Sequence, residues 1–205
     1  KQLNKISFKV EKKEMSKYLP VANGMQSFWL TAESDFSVFR SSECLPKEVD
    51  TIIIGSGYAG ATTAYFLLEK NSNKKESILM LEARNVCSGA TARNGGHLKP
   101  DLYFAYNSFK EKYGEKGAAE IMNFEFSHIQ AMKELIDKEK IDCDFILTRS
   151  CDVHLSPKAA NTAISGYYGM MKNPYVKYKH DVQINFGDSA RVISKVEKSP
   201  VCLTY

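Results

Sequence analysis

The sequence predicts an α/β fold that shades into α+β, and three observations predict it. A β-branched run, Ile52–Ile54, leads straight into Gly55-x-Gly57-x-x-Gly60. A second apolar run, Ile78–Leu81, ends on an acid, Glu82, 22 residues past the last of those glycines. Residues 107–140 then repeat apolar side chains at three- and four-residue steps, where a doubly wound domain would continue with further βαβ units.

The run Ile52, Ile53, Ile54 reads as a buried parallel strand, and Ala61–Lys70 as the helix after it. Strand, glycine turn, helix, strand and acid make a Rossmann-like dinucleotide fingerprint in its required context. Gly55 permits the tight turn, Gly57 lets the backbone approach a pyrophosphate, and Gly60 lets helix and strand pack closely. Phosphate charge is expected on the free N–H groups of the helix N-terminus. Glu82 can accept hydrogen bonds from a ribose hydroxyl pair, and its charge disfavours a 2′-phosphate. The blander reading is a ligand-free βα turn, with Glu82 a solvated strand end.

Before this unit, the basic residues 1–17 are expected to be a solvated, disordered tail. Six lysines and two glutamates there account for the whole net charge of +4, so residues 18–205 balance. No basic stripe with interleaved aromatics follows, which argues against nucleic acid as a partner. Residues 18–49 hold Phe28, Trp29, Phe36 and Phe39 between two Leu-Pro pairs, and read as an arm packed on the domain surface. Residues 50–101 are the βαβ unit and the loop after it, and 102–205 a helical segment with part of a second domain. Within 107–140, Ala118, Ile121, Met122, Ile129, Met132 and Ile136 form one apolar face, and Gly114 and Gly117 are expected to split the region into two helices. Phe145–Thr148 and Cys151–Leu155 resemble two strands joined by a short turn. Pro157 fits the first turn of a helix reaching about Met171. Short elements follow at Val182–Ile184, Ser189–Ser194 and Val201–Tyr205.

The 43% hydrophobic content, with eleven each of Phe and Tyr, suffices for a core. Cys44, Cys87, Cys143, Cys151 and Cys202 are odd in number and show no CxxC pair, which fits reduced thiols and a cytoplasmic protein. No stretch approaches the roughly 20 apolar residues of a membrane helix. The start of the chain lacks a signal core, and its mixture of Lys and Glu is unlike a transit peptide. The chain opens on Lys1, so further residues are expected upstream.

The loop after Glu82 reads EARNVCSGATARNGGHLKPD. Small residues (Ser88, Gly89, Ala90, Thr91) stand beside donors (Arg93, Asn94, His97) and a Gly95-Gly96 pair, a composition suited to lying against a large flat ligand. Together with VDTIIIGSGYAGATTAYFLL, this loop resembles flavoproteins of the D-amino-acid oxidase and sarcosine oxidase superfamily, a fungal group of FAD-dependent oxidoreductases in particular. Ser27–Trp29, Arg40-Ser41-Ser42 and Leu45-Pro46 resemble that group's lead-in to its first strand. The resemblance implies that Gly55, Gly57, Tyr58, Ala59 and Gly60 cradle the FAD pyrophosphate. Glu82 would hold the adenosine ribose, with Ala83 and Arg84 toward the adenine end. Ser88, Gly89, Ala90 and Thr91, then Arg93, Asn94, Gly95 and Gly96, would run past the pyrophosphate and ribityl chain toward the isoalloxazine, with His97 near its rim. In dimethylglycine dehydrogenase relatives a histidine of this loop bonds the flavin covalently. Arg93 holds that position here, so FAD is expected to be non-covalent. Members of the superfamily are about twice as long and return for a second glycine-rich turn that this sequence lacks, so the chain is expected to be truncated.

The remaining candidates are weaker. His128 reads as a satisfied core or boundary histidine. His154, on an expected strand, fits packing or a substrate cleft, and His180 reads as solvent-facing. The histidines show no metal-ligand spacing. Cys87 fits small-residue packing or a redox role. Tyr167, Tyr168, Tyr175 and Tyr178 fit an aromatic pocket or ordinary packing, and Glu139 a solvated helix face. The reading is therefore an FAD-dependent oxidoreductase acting on the C–N bond of a small amine or amino acid, with no catalytic residue named. Its alternatives are an inactive FAD-binding fragment or interaction module, and an NAD-dependent dehydrogenase.

Overall fold

The computed structural model describes residues 24–31, 35–37, 39–71 and 75–205. The basic tail of residues 1–17 and arm residues 18–23, 32–34 and 38 lie outside the described residues. The chain divides into two compact units between Gly96 and His97.

In the N-terminal unit, β1 (Thr51–Ile54) runs parallel to β2 (Ile78–Leu81), in register from Thr51↔Ile78 to Ile54↔Leu81. The crossover helix α1 spans Tyr58–Lys70. It starts three residues before the expected Ala61, because Gly57 is an extended N-cap directly ahead of Tyr58. Asn71 closes α1: its side chain donates to the Glu76 carbonyl at 2.7 Å and accepts from Lys75 N–H at 3.1 Å. The strand expected to be buried is buried only at Ile53, while Ile52 is 56% and Ile54 87% exposed. Among the described residues this sheet has two strands, with α1 packed against it.

The C-terminal unit carries most of the buried core. Helix α2 (Tyr106–Glu139) is two helices meeting at a kink, since Gly114 at φ 73° and ψ 175° is not helical. Gly117, expected to share that break, stays within the helix. Helix α3 (Pro157–Lys172) begins at an N-cap, Ser156, whose hydroxyl accepts from Ala159 N–H, with proline in the first turn. Strands β3 (Cys151–Val153), β4 (Gln183–Phe186) and β5 (Val201–Thr204) form an antiparallel sheet ordered β3-β5-β4, and α4 (Gly187–Ser194) joins β4 toward β5. The strand expected at Phe145–Thr148 is absent. That stretch is exposed and irregular, and β3 pairs instead with β5 through Asp152↔Leu203. Central β5 buries Val201, Cys202 and Leu203. Val201 and Leu203 join Tyr103, Tyr106, Ala119, Met122, Ala163 and Met170 in one apolar cluster. Asn173, buried just past α3, donates to Tyr106 Oη at 3.0 Å and to the Glu115 carbonyl at 2.8 Å, tying that helix end to both parts of α2.

The α3 backbone touches the loop before α2 at one point. A Cβ on Gly166 would lie 2.1 Å from the Tyr103 carbonyl oxygen. Gly166→Ala is therefore expected to destabilise the chain by about 2 kcal/mol or more, the overpacking cost exceeding alanine's gain in helix propensity. Urea denaturation followed by circular dichroism measures it. An unchanged or raised midpoint would show that α3 can move away from this carbonyl at no cost.

Candidate functional site

The glycine turn of the N-terminal unit is a close-fitting device. Gly55 sits at φ +98°, and a Cβ on Gly60 would lie 2.0 Å from the Gly55 carbonyl oxygen. The turn can therefore bring the first turn of α1 against the end of β1 only with glycine there. The N–H groups of Ala59 and Gly60, in that first turn, have no intrahelical acceptor. Tyr58 N–H donates to Thr91 Oγ1 at 2.8 Å, and a Cβ on Gly57 would meet the same oxygen at 2.8 Å. Thr91, from the loop, thus reaches the mouth of the helix.

Glu82 turns back onto this glycine turn. One carboxylate oxygen accepts from Ser56 N–H at 3.0 Å and Ser56 Oγ at 2.8 Å, and the other from Arg84 N–H at 2.9 Å. The Ser56 N–H is the leading cause holding the carboxyl well below its usual range, at about 2, with Arg84 N–H and the Ser56 hydroxyl adding to it. Ser56, the residue between the first two glycines, was not singled out in the sequence. A small hydroxyl residue at that position is the only signal that could have found it.

The loop itself is ordered by short-range bonds and by the arm. Gly89 precedes a short 3-10 turn, Ala90–Ala92. Asn94 Nδ2 donates to the Thr91 carbonyl at 2.6 Å, and Asn94 Oδ1 accepts from Gly96 N–H at 2.8 Å. From the arm, the buried Ser27 hydroxyl bonds the Ala92 carbonyl, and Trp29 Nε1 donates to the Asn94 carbonyl at 2.8 Å. A Cβ on Gly96, at φ +72°, would lie 3.1 Å from the Trp29 ring. Ser27 and Trp29 of the arm therefore pack on the loop. Arg93 spends its guanidinium on the Met25 carbonyl at 2.9 Å. Ala83, Arg84 and Gly95 are exposed, and Cys87, at φ +59°, lies with its sulfur 3.5 Å from the Ser56 carbonyl. Ser88 Oγ is buried without a hydrogen-bond partner. An orphaned hydroxyl, free helix N–H groups and a turn that a single Cβ would fill are what an anionic dinucleotide needs, so these residues fit FAD.

His97 is exposed and opens the C-terminal unit, which has its own cavity of about 450 Å³. Lys99, Asp101, Phe104, Asp152, His154 and Tyr205 are among its lining residues. Asp152 is the hub. It bonds the Lys99 ammonium and accepts from Tyr103 Oη at 2.8 Å and Tyr205 Oη at 3.0 Å. Burial alone would raise its pKa, but the Lys99, Tyr103 and Tyr205 hydrogen bonds outweigh that and hold it below the usual range. The single Tyr103 hydroxyl proton is committed to this carboxylate, so the contact of His154 Nε2 with Tyr103 Oη at 2.9 Å runs from His154 Nε2–H to the phenol oxygen. His154 is stacked on Phe104, with ring centroids 5.5 Å apart. Burial lowers its pKa and the Lys99 charge lowers it further, against an opposing pull from Asp152. Of the packing and cleft roles open to His154, the structure gives it the cavity wall. Lys99, Asp152 and Tyr205 were not marked as a group, and no sequence spacing links them.

The other candidates are dispersed. His128 Nδ1 donates to the Phe124 carbonyl at 2.8 Å, and His180 is exposed. Tyr178 is buried against Phe126, whereas Tyr168 and Tyr175 are about half exposed, so the tyrosines line no common pocket. Among the described residues no group of three or more His, Cys, Asp or Glu side chains could hold a metal ion, and no helix is long and apolar enough to cross a membrane.

Comparison with known proteins places residues 50–177 within the family model described as FAD dependent oxidoreductase. A putative Rieske 2Fe-2S iron-sulfur protein of Bacillus subtilis is 27% identical over 121 residues, 59% of this chain and 23% of that protein. A gamma-glutamylputrescine oxidoreductase of Escherichia coli is 29% identical over 96 residues, 47% of this chain and 22% of that protein. The chain thus spans less than a quarter of the length of these relatives. The solved structure of an L-amino acid deaminase from Proteus vulgaris has the same fold, with a TM-score of 0.54 at 16% identity over 83% of this chain and 40% of that one.

Asp152→Asn keeps the size of the hub while removing its charge. The substitution is expected to destabilise the chain by about 2 kcal/mol, since hydrogen bonds to a charged group are each worth about 1.5–3 kcal/mol and a partial replacement remains. Chemical denaturation at neutral pH measures this. The wild-type Asp152 contribution is present above the ordinary carboxylate range and falls away as pH drops through its depressed pKa. Acid titration of stability should therefore fall less steeply in the variant below that range, and parallel curves would remove Asp152 from the hub.

Proposed function

The chain belongs to the DAO family of FAD-dependent oxidoreductases, and within that family we propose that it serves oxidation of a C–N bond in a small amine or amino acid. The observation that carries the cofactor part is the glycine turn, whose helix N-terminus is met by Thr91 from the loop that also holds the buried, unpartnered Ser88 hydroxyl. The substrate class is supported by the names of two similar proteins, one acting on gamma-glutamylputrescine and one an amino acid deaminase. The family match favours FAD over the NAD alternative.

In this reading Gly55, Gly57, Tyr58, Ala59 and Gly60 bind the pyrophosphate through backbone N–H groups and the positive end of α1. Glu82, already oriented by Ser56 and Arg84, offers its remaining lone pairs to the adenosine ribose, with Ala83 and Arg84 alongside. Ser88, Gly89, Ala90 and Thr91, followed by Arg93, Asn94, Gly95 and Gly96, line the path toward the ring, and His97 stands at its rim. FAD held there would supply the two-electron acceptor needed to oxidise the substrate C–N bond. The protein's share is orientation and charge. Arg93 brings positive charge to the loop, and because it stands where relatives that link the flavin have histidine, the cofactor is held non-covalently.

A second reading, cofactor binding without turnover or an interaction module, is favoured by the open face of β1. Ile54 at 87% and Ile52 at 56% exposure leave an apolar strand uncovered. Five unpaired thiols support a cytoplasmic setting.

The purified chain with added FAD is expected to keep flavin absorption bands through gel filtration and to release all flavin on acid precipitation. Glu82→Ala removes the acceptor shared by Ser56 and Arg84 and should weaken FAD binding by about tenfold or more, through loss of hydrogen bonds to a charge. A colourless chain, or flavin that stays with the precipitate, would refute the cofactor reading or its non-covalent part respectively. Turnover of amines by the loaded protein, read as hydrogen peroxide release or dye reduction, tests the substrate class.

A further inference from the structure

The wall of the C-terminal cavity includes His154, whose ring has a nitrogen left unused among the described residues. Because Tyr103 Oη takes the Nε2 proton of His154, the neutral imidazole keeps its lone pair on Nδ1, which has no partner among the described residues. The two carboxylates of the lining are already engaged. The Asp101 carboxylate accepts from the N–H groups of Tyr103, Phe104 and Ala105 at 3.2, 2.7 and 3.1 Å. Asp152 takes Lys99, Tyr103 and Tyr205. The lining side chains hold one cation, Lys99, against two carboxylates, so the wall carries one formal negative charge. That cation is already tied to Asp152 and lies over the Tyr205 ring, 5.7 Å from its centroid.

We propose that this cavity binds a small organic ammonium ion, with His154 Nδ1 accepting one of its N–H groups and the carboxylate excess on the wall setting the preference for a cation. At about 450 Å³ the cavity is in the size range of small-molecule sites. Phe104, 40% exposed beside His154, offers an apolar ring to the carbon skeleton of the ligand. An anion of equal size would meet a lysine that is already paired, an imidazole lone pair and two carboxylates. Burial, aided by Lys99, depresses the His154 pKa, so Nδ1 stays available at neutral pH. The proposal names the group recognised if the substrate is an amine. It rests on that reading only for its link to turnover, because binding here needs no FAD.

The test is a titration of the 205-residue chain, labelled with ¹⁵N-histidine and free of FAD, at neutral pH. Benzylamine hydrochloride is the probe and sodium phenylacetate its anionic counterpart. Benzylamine is expected to shift the His154 Nδ1 resonance saturably, and phenylacetate to bind about tenfold more weakly or less, as unfavourable charge would dictate. His154→Phe keeps a ring over Phe104 while deleting the acceptor, and should weaken benzylamine about tenfold or more. If that variant does not fold, the comparison of the two probes on the wild-type chain decides alone. Phenylacetate binding as tightly as benzylamine, or benzylamine binding without moving His154, overturns the proposal. Neither outcome touches the FAD reading, which is tested by the flavin spectrum.

Discussion

The absence of a side chain at Gly60 is the constraint on which the N-terminal unit depends. With a Cβ there only 2.0 Å from the Gly55 carbonyl, α1 could not begin where it does. Its start fixes much else. Tyr58 N–H reaches Thr91, and Ser56 is left facing Glu82. The C-terminal unit repeats the device with other residues, since Gly166 lets α3 settle on the Tyr103 carbonyl. Tyr103 is the side chain that links Asp152 to His154, so this second close approach also stands behind a site. In both units a missing Cβ lets a helix meet backbone, and a hydrogen-bond network is built on the contact.

Local pattern made the first of these legible. The isoleucine run, the glycine spacing and the acid after β2 are neighbours in sequence, and each follows from a backbone requirement that few other residues meet. The same holds for Ser156-Pro157 at the start of α3 and for the break at Gly114. The burial of β1 was not legible. A run of three isoleucines resembles an interior strand of a parallel sheet, but burial of Ile52 and Ile54 depends on what covers the sheet, which the run does not encode. The error at Phe145–Thr148 is of the same kind. An apolar stretch of the right length needs a partner, and Ser150 and β3 take β5 as theirs, with the Ser150 and Tyr205 backbones exchanging hydrogen bonds.

The Asp152 hub was illegible for another reason. Its partners Lys99, Tyr103 and Tyr205 lie about 50 residues away on either side, and only the β3–β5 pairing with the loop before α2 brings them together. No periodicity records such a meeting. The arm is an intermediate case: its aromatic content pointed to packing, but not to the Ser27 and Trp29 bonds that hold the loop from Ala92 to Gly96. Those bonds would favour the proposed cofactor role of the loop, because a loop that is already ordered loses less conformational entropy on binding.

The two carboxylate hubs answer different chemical needs. Glu82 takes two of its three donors from backbone N–H groups, which cannot change charge and cannot leave without opening the turn. With its pKa near 2, it remains a pure acceptor across the whole physiological range, as the proposed role toward ribose hydroxyls would require. Asp152 takes its donors from side chains, and through Tyr103 it sets the tautomer of a histidine. Its charge is therefore coupled to groups that a ligand in the cavity can reach. A weakening of cofactor binding in mild acid would not trace to Glu82 losing its charge. A weakening of ligand binding in the C-terminal cavity over the same range would trace first to His154, whose Nδ1 has no partner among the described residues and can take a proton without breaking a bond seen there.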